Sequence, residues 1–153
     1  MIRVEEARFD VGAELGAFGA GDARMGAVAS FVGYVRGAVA GTPPLVALTL
    51  EHYPGMTERQ LAAIEAEARA RWPLIDTLVI HRYGRMLPGE PIVLVAVSSA
   101  HRQAAFEACQ FLMDWLKTKA PFWKLEETAS GAQWVEAKAS DDTAADRWQK
   151  SAS

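Results

Sequence analysis

Cysteine is nearly absent from this chain of 153 residues: Cys109 stands alone. A single thiol forms no intrachain disulfide, so nothing in the cysteine usage points to an oxidising compartment. Long apolar runs are missing as well, and no stretch approaches the roughly 20 residues a membrane helix needs. The first ten residues, MIRVEEARFD, lack the basic flank and apolar run of a secretory signal. Histidine is scarce, three in all, and its spacing with the cysteine and the acids matches no zinc site. There is no Gly-rich nucleotide loop and no G-x-S-x-G nucleophile elbow. Basic residues do not dominate either. Sixteen Lys and Arg stand against 19 Asp and Glu, for a net charge of -3, which excludes a wholesale electrostatic grip on nucleic acid or an anionic membrane. Any anion site must be local, and a soluble, cytoplasmic protein is the expectation.

Half of the chain is apolar, enough for one real core at this length, so a single domain over 1–153 is expected, with about 138–153 as a C-terminal tail. Residues 2–9 alternate with period 2 and read as a half-buried strand. A short helix or loop follows over 11–25. GAVASFVGYV, 26–35, is β-branched and aromatic, a buried strand ending near Arg36, and 37–44 with its two Gly and two Pro reads as a loop. Strand character returns over 45–53. Thr57 and Gln60 form a capping-box pattern ahead of an amphipathic helix with Leu61, Ile64 and Ala68 on one face, closing near Trp72-Pro73. Two further strands, 74–83 and 92–98, flank a Pro88-Gly89 turn suited to antiparallel pairing. Ser99 is the expected N-cap of a helix running to about Ala120, ended by Pro121, with Phe106, Cys109, Met113 and Leu116 on its core face. A short strand near Trp134-Val135 and a last helix from Ser140 complete an α+β order.

Positive charge concentrates between His101 and Lys124. That stretch holds Arg102, Lys117, Lys119 and Lys124 against Glu107 and Asp114, net +2 in a chain of -3. His101 and Arg102 fall in the first turn of the helix, where free N–H groups and the helix dipole favour an anion such as phosphate. Lys117, four residues after Met113, is expected at the margin of the buried face, where partial desolvation would suit it to acid or base chemistry. Lys124 follows two aromatics beyond Pro121 and is held by their packing. Taken singly, each of these is more often a solvated surface charge. Cys109 reads as core, and a buried thiol without a cationic neighbour reacts poorly. Arg36 ends a buried strand at a Gly-rich loop, a common position for a residue reaching into a site and equally for an ordinary strand-end charge. Glu51, His52 and His81 lie within apolar strands and read as structural rather than ligating.

Six segments in order, FVGYVR (31–36), LTLEHYPGMTE (48–58), RWPL (71–74), VIHRYG (79–84), SSAHRQAAFEACQFLMDWLKTKAPFWK (98–124) and WVEA (134–137), resemble the molybdopterin synthase catalytic subunit family over nearly the whole chain. The resemblance implies an α/β hammerhead-type fold with a mainly antiparallel sheet and flanking helices. It also implies a homodimer of large subunits, each binding one small ubiquitin-like sulfur-carrier subunit, so that the assembly is a heterotetramer. The carrier delivers sulfur as a thiocarboxylate on its C-terminal glycine, and two sulfurs convert cyclic pyranopterin monophosphate into the dithiolene of molybdopterin. The implied enzyme is a sulfurtransferase of molybdenum cofactor biosynthesis that needs no cofactor and no metal of its own. The family pattern puts the substrate pocket at Tyr34, Val35 and Arg36, at His101 and Arg102, at Lys117, and at Lys124, Leu125 and Glu126. One departure is the loop GAVAGTPP at 37–44, where family members commonly carry a polar, partly basic one.

On this resemblance Arg36, His101 and Arg102 orient the cyclic phosphate by charge-assisted hydrogen bonds. Lys117 is the leading catalytic residue and Lys124 its electrostatic support. Phe31, Met113 and Phe122 are the expected walls of the channel for the carrier's tail. Two alternatives stay open at the level of sequence: a non-catalytic module binding the carrier tail or a phosphorylated metabolite with the same cations, and a phosphate-handling hydrolase, which lacks an evident nucleophile.

Overall fold

A computed structural model describes residues 1–135 and 146–149. The order is β1 (Ile2–Glu5), α1 (Val11–Ala17), β2 (Ala27–Tyr34), β3 (Leu45–His52), α2 (Met56–Arg71), β4 (Leu74–Arg82), β5 (Gly84–Met86), β6 (Pro91–Ser99), α3 (Arg102–Thr118), β7 (Phe122–Thr128) and β8 (Gly131–Val135). The α+β reading holds, and the strands form two mainly antiparallel sheets. One has the order β1-β4-β6-β2 with β1 parallel to β4, the other the order β5-β3-β7-β8. Among the described residues no helix is long and apolar enough to cross a membrane.

The first sheet is covered on both faces, which is why β4 and β6 read as continuous apolar runs rather than alternating ones. Val79, Val93, Val95 and Val97 face α2 and α3 through Leu61, Ile64, Ala105, Ala108 and Leu112. Leu78, Ile80, Leu94 and Ala96 face the other way, toward Phe9 and the Val11, Leu15 and Phe18 side chains. A third cluster, Val35, Leu48, Leu50 and Met86 with Leu45 and Ile92, joins the two sheets. Close approach matters at Gly26, whose amide donates to the Ser99 carbonyl at 3.0 Å. A Cβ there would collide with the Ala100 carbonyl.

Several local expectations need correction. The first strand stops at Glu5 rather than continuing to residue 9. The helix after Pro54 is capped by Gly55 and Glu58, with Glu58 Oε2 accepting from the Gly55 amide at 2.6 Å. Thr57 instead is buried and donates to the Tyr53 carbonyl, so the Thr57–Gln60 box does not form. Ser99 ends β6 and donates to the Pro73 carbonyl at 2.8 Å. His101 is the N-cap of α3, without a side-chain capping bond.

Phe106 is 66% exposed. Three small residues, Ala104, Ala105 and Ala108, face the sheet instead, because they let the helix approach it closely and rotate Phe106 outward. The 84–86 strand and all of β7 had no counterpart in the sequence reading. The strand near Trp134 is present as β8. A helix start at Ser140 falls outside the described residues, whereas 146–149 are helical. There Trp148 is fixed against α2 and α3: its Nε1 donates to Asp114 Oδ2 at 2.7 Å and its carbonyl accepts from Arg71.

Candidate functional site

Topology sorts the expected site residues into two groups. β6 runs from Pro91 to Ser99 and α3 runs back antiparallel over the same sheet, so the start of the helix lies at one end of the sheet and its last turn at the other. Arg102 and Lys117 stand at opposite ends of the 17-residue α3, about 22 Å apart at 1.5 Å per residue. No small substrate touches both within one chain.

At the far end, Lys117 is exposed. It lies one helical step past Leu116, beyond the face centred on Ala108 and Leu112, so the expected partial desolvation at the margin of the core is absent in the single chain. Its charge nonetheless acts on His81 of β4. His81 stacks on Phe122, with ring centroids 3.8 Å apart and planes 16° from parallel. His52 lies 5.9 Å from Phe122 and 4.6 Å from Tyr83. Burial first, then the charges of Lys117 and His52, pushes the His81 imidazole down to about 4, against the pull of a hydrogen bond to the Arg82 carbonyl. His81 is therefore neutral near pH 7.

The hydroxyl of Thr57 donates to the Tyr53 carbonyl and lies 3.0 Å from His52 Nδ1. With its one proton committed, the hydroxyl receives rather than gives, so Nδ1 carries the hydrogen of His52.

β7 brings Lys124 to this corner. In the β3–β7 register His52 pairs with Phe122, Leu50 with Lys124 and Leu48 with Glu126, and side chains alternate across a strand. Phe122, Lys124 and Glu126 thus share one face, and Leu125 points to the other with Trp123 and Trp134. Leu125 can offer this face only its backbone. Val35 packs on Leu48 and Leu50, opposite Lys124 and Glu126 in that same register, which sets the exposed Tyr34 and Arg36 beside the same strand pair. Val35 is fixed by two hydrogen bonds to the 87–90 turn, its amide to the Glu90 carbonyl and its carbonyl from the Gly89 amide. Met113 is buried in the core one turn before Lys117. Phe31 is half-exposed on β2, on the face of the sheet that α3 covers.

At the near end, His101 and Arg102 are exposed, with no acid in the first turn of α3. Neither forms an ion pair among the described residues. Cys109 is 7% exposed, and burial pushes its thiol up to about 11, so it sits in the core as expected. A wide depression of about 650 Å³ lies elsewhere, lined by Leu15, Phe18, Met25 and Val28 without a cation, and has no part in an anion site. Sequence reasoning assigned no site role to His52, His81 or Tyr83. Their one signal was the placement of polar rings within strands otherwise built of apolar residues.

Known proteins resemble this chain in sequence and fold. The family model described as MoaE protein matches residues 4–119. The molybdopterin synthase catalytic subunit of Pseudomonas aeruginosa is 56% identical over 149 residues, covering 97% of this chain and 99% of its own length. Among solved structures, the molybdopterin biosynthesis MoaE protein from Burkholderia ambifaria has a TM-score of 0.82 and 49% identity over 97% of each chain. Molybdopterin synthase from Staphylococcus aureus gives 0.79 and 30% identity over 88% of this chain and 96% of that one. A family match over most of the chain, joined to relatives above half identity along nearly all of it, makes this chain a member of the MoaE family.

Proposed function

We propose that the chain is the catalytic subunit of a molybdopterin synthase, moving sulfur from the C-terminal thiocarboxylate of a small ubiquitin-like carrier to cyclic pyranopterin monophosphate. The observation that carries the reading is the 56% identity to a relative of that name over 97% of the chain. The gathering of Lys117 and Lys124 around the His81–Phe122 stack supports it. The thiocarboxylate sulfur attacks an oxygen-bearing carbon of the precursor, that carbon–oxygen bond breaks and the oxygen leaves protonated, so that a thioester joins carrier and pterin. Water then cleaves the acyl–sulfur bond, freeing the carrier as a carboxylate and leaving sulfur on the pterin. A second round completes the dithiolene. Lys117 stabilises the negative charge that develops in these steps and passes protons, with Lys124 in support. Phe122, with Phe31 and Met113, walls the path of the carrier's tail.

Arg36, His101 and Arg102 hold the phosphate, and the 22 Å span of α3 bears on how. Because Arg102 cannot reach a substrate at Lys117 of its own chain, the reading requires a homodimer in which His101 and Arg102 of one copy complete the pocket of the other. The chain is one domain in this proposal, and its place is the cytoplasm. The test is incubation of the purified chain with thiocarboxylated carrier and precursor. Dithiolene product supports the reading. A folded chain that binds carrier but yields none would favour the non-catalytic module.

A further inference from the structure

The sulfur-transfer steps give no task to His81, although it lies at the centre of the lysine corner. Its Nδ1 is 2.9 Å from the Arg82 carbonyl. A carbonyl only accepts, so Nδ1 carries the ring hydrogen and Nε2 is a bare lone-pair acceptor. The residue is 8% exposed. Among the described residues Nε2 has no hydrogen-bond partner, and no fully buried side-chain nitrogen or oxygen is left without one. Nε2 therefore keeps some contact with solvent. The ring itself cannot turn away, since Phe122 covers one face and the Arg82 carbonyl holds the opposite edge. Phe122 and Lys124 lie on one face of β7.

The corner thus presents, beside its cations, a neutral and rigid acceptor at His81, and once a ligand displaces the water there that acceptor is matched only by a donor. The carrier's thiocarboxylate and the substrate's phosphate are acceptors themselves. The pterin ring is the component rich in N–H and amino donors.

We propose that His81 is a substrate-binding and specificity residue whose Nε2 accepts a hydrogen bond from a ring N–H or amino group of the bound pterin, setting the heterocycle's register against Lys117 and Lys124. The inference rests on the functional reading above. It divides recognition between two chemistries, hydrogen-bond donors of Arg36, His101 and Arg102 for the phosphate and a neutral imidazole acceptor for the ring. Burial, which keeps the imidazole unprotonated, maintains it as an acceptor across the working pH range.

The test uses the full chain in complex with the carrier in its carboxylate form, which binds without turning over. His81→Phe keeps a ring against Phe122 and removes the acceptor, whereas His81→Gln keeps an acceptor oxygen. Calorimetric titration with cyclic pyranopterin monophosphate is expected to show roughly 10-fold to 100-fold weaker binding for His81→Phe, the range for leaving a buried donor unpaired. Partial recovery is expected in His81→Gln, and KM should rise in parallel while carrier affinity stays within about 2-fold of the parent.

Unchanged pterin affinity in His81→Phe overturns the proposal. So does a loss of kcat at unchanged affinity, which would assign Nε2 to Lys117. Equal weakening in both variants together with a lowered Tm would assign His81 to the fold alone and also overturn it. Should either variant fail to fold, the nitrogen NMR resonance of His81 Nε2 in the parent decides. A shift on adding precursor supports the contact, and its absence overturns it. A folded parent complex that binds no precursor at all sinks the functional reading and this inference together, an outcome separable from all the others because the parent itself fails.

Discussion

The two ends of α3 differ in almost every physical respect. The N-terminal end carries His101 at the N-cap and Arg102 in the first turn, both exposed, with no acid in that turn and no side-chain cap. Its positive potential comes from backbone N–H groups and mobile side chains together, which suits a ligand that arrives charged and stays charged. The C-terminal end sets Lys117 near an aromatic stack, half-buried at Phe122 and buried at His81, where the imidazole is too poorly solvated to take up a proton near neutral pH. On the functional reading proposed above, charge that develops there during the reaction is met by Lys117 and Lys124. The contrast suggests a division of labour: one end binds a charge that persists, the other stabilises a charge that develops only in the transition state.

The sharpest way to break that division is Lys117→Ala. Loss of a group active mainly in the transition state is expected to lower kcat by roughly 10²-fold to 10³-fold, the scale of a lost oxyanion donor. Precursor binding and Tm should hardly change, because Lys117 is exposed and forms no ion pair among the described residues. Single-turnover product formation measures the effect, and near-parental turnover would refute the assignment.

The buried character of the same end has a signature in stability. His81 titrates at about 4 when folded, below its ordinary 6.5. Between those values the unfolded chain binds a proton that the folded chain refuses. Stability therefore rises with pH across this window and is lost as pH falls from about 6.5 toward 4, by about 3 kcal/mol in all. Urea denaturation of the parent from pH 7 to pH 4 should show the loss, and His81→Phe should flatten the slope. An unchanged slope in that variant would mean that other groups carry the acid sensitivity.

The exposed end is the one the sequence described better. The start of α3 was legible to within two residues, with the cap read at Ser99 where the structure puts it at His101 and begins the first turn at Arg102. β4 and β6 were legible because a strand covered on both faces is apolar throughout. The lysine corner was not legible from periodicity. β7 is half-exposed on both faces and mixes Phe122, Lys124 and Glu126 on one side with Trp123, Leu125 and Glu127 on the other, so neither face carries a clean apolar period. Without β7 there is no reason to bring Phe122 to His81, or Lys124 near Lys117. Phe106 misled for the opposite reason: it is the largest apolar residue of its turn, and the alanines that decide which face of α3 meets the sheet are small.

The binding end is tested by Arg102→Ala, expected to cost about 1.5 to 3 kcal/mol of substrate affinity, the usual value for a hydrogen bond to a charged group. The loss should appear in KM with little change in kcat, and added sulfate should compete with substrate in the parent. Geometry also sets how Arg102→Ala and Lys117→Ala chains behave when mixed at subsaturating substrate. If the pocket joins opposite ends of two copies of α3, each mixed dimer regains one intact site, and random exchange restores about a quarter of the parental activity. Absence of recovery despite demonstrated exchange would rule out the shared pocket and leave the 22 Å separation without a functional explanation.

The smallest effect is expected midway between the ends, at Cys109. Its thiol sits in the core cluster with Ala108, Leu112 and Met113, and burial raises it to about 11. The thiolate that attacks electrophiles or relays sulfur is therefore scarce at neutral pH. A sulfurtransferase whose only cysteine is inert must receive sulfur already attached to its carrier, which matches the thiocarboxylate chemistry proposed for the corner. Cys109→Ser replaces sulfur with a hydroxyl in an apolar contact and is expected to lower stability by about 1 to 3 kcal/mol. Turnover at a temperature where the variant stays folded should equal that of the parent, and the native parent should resist alkylation that proceeds readily once it is unfolded. A selective loss of sulfur transfer at unchanged Tm would place the thiol in the reaction, and the middle of α3 would then have to be counted with its C-terminal end.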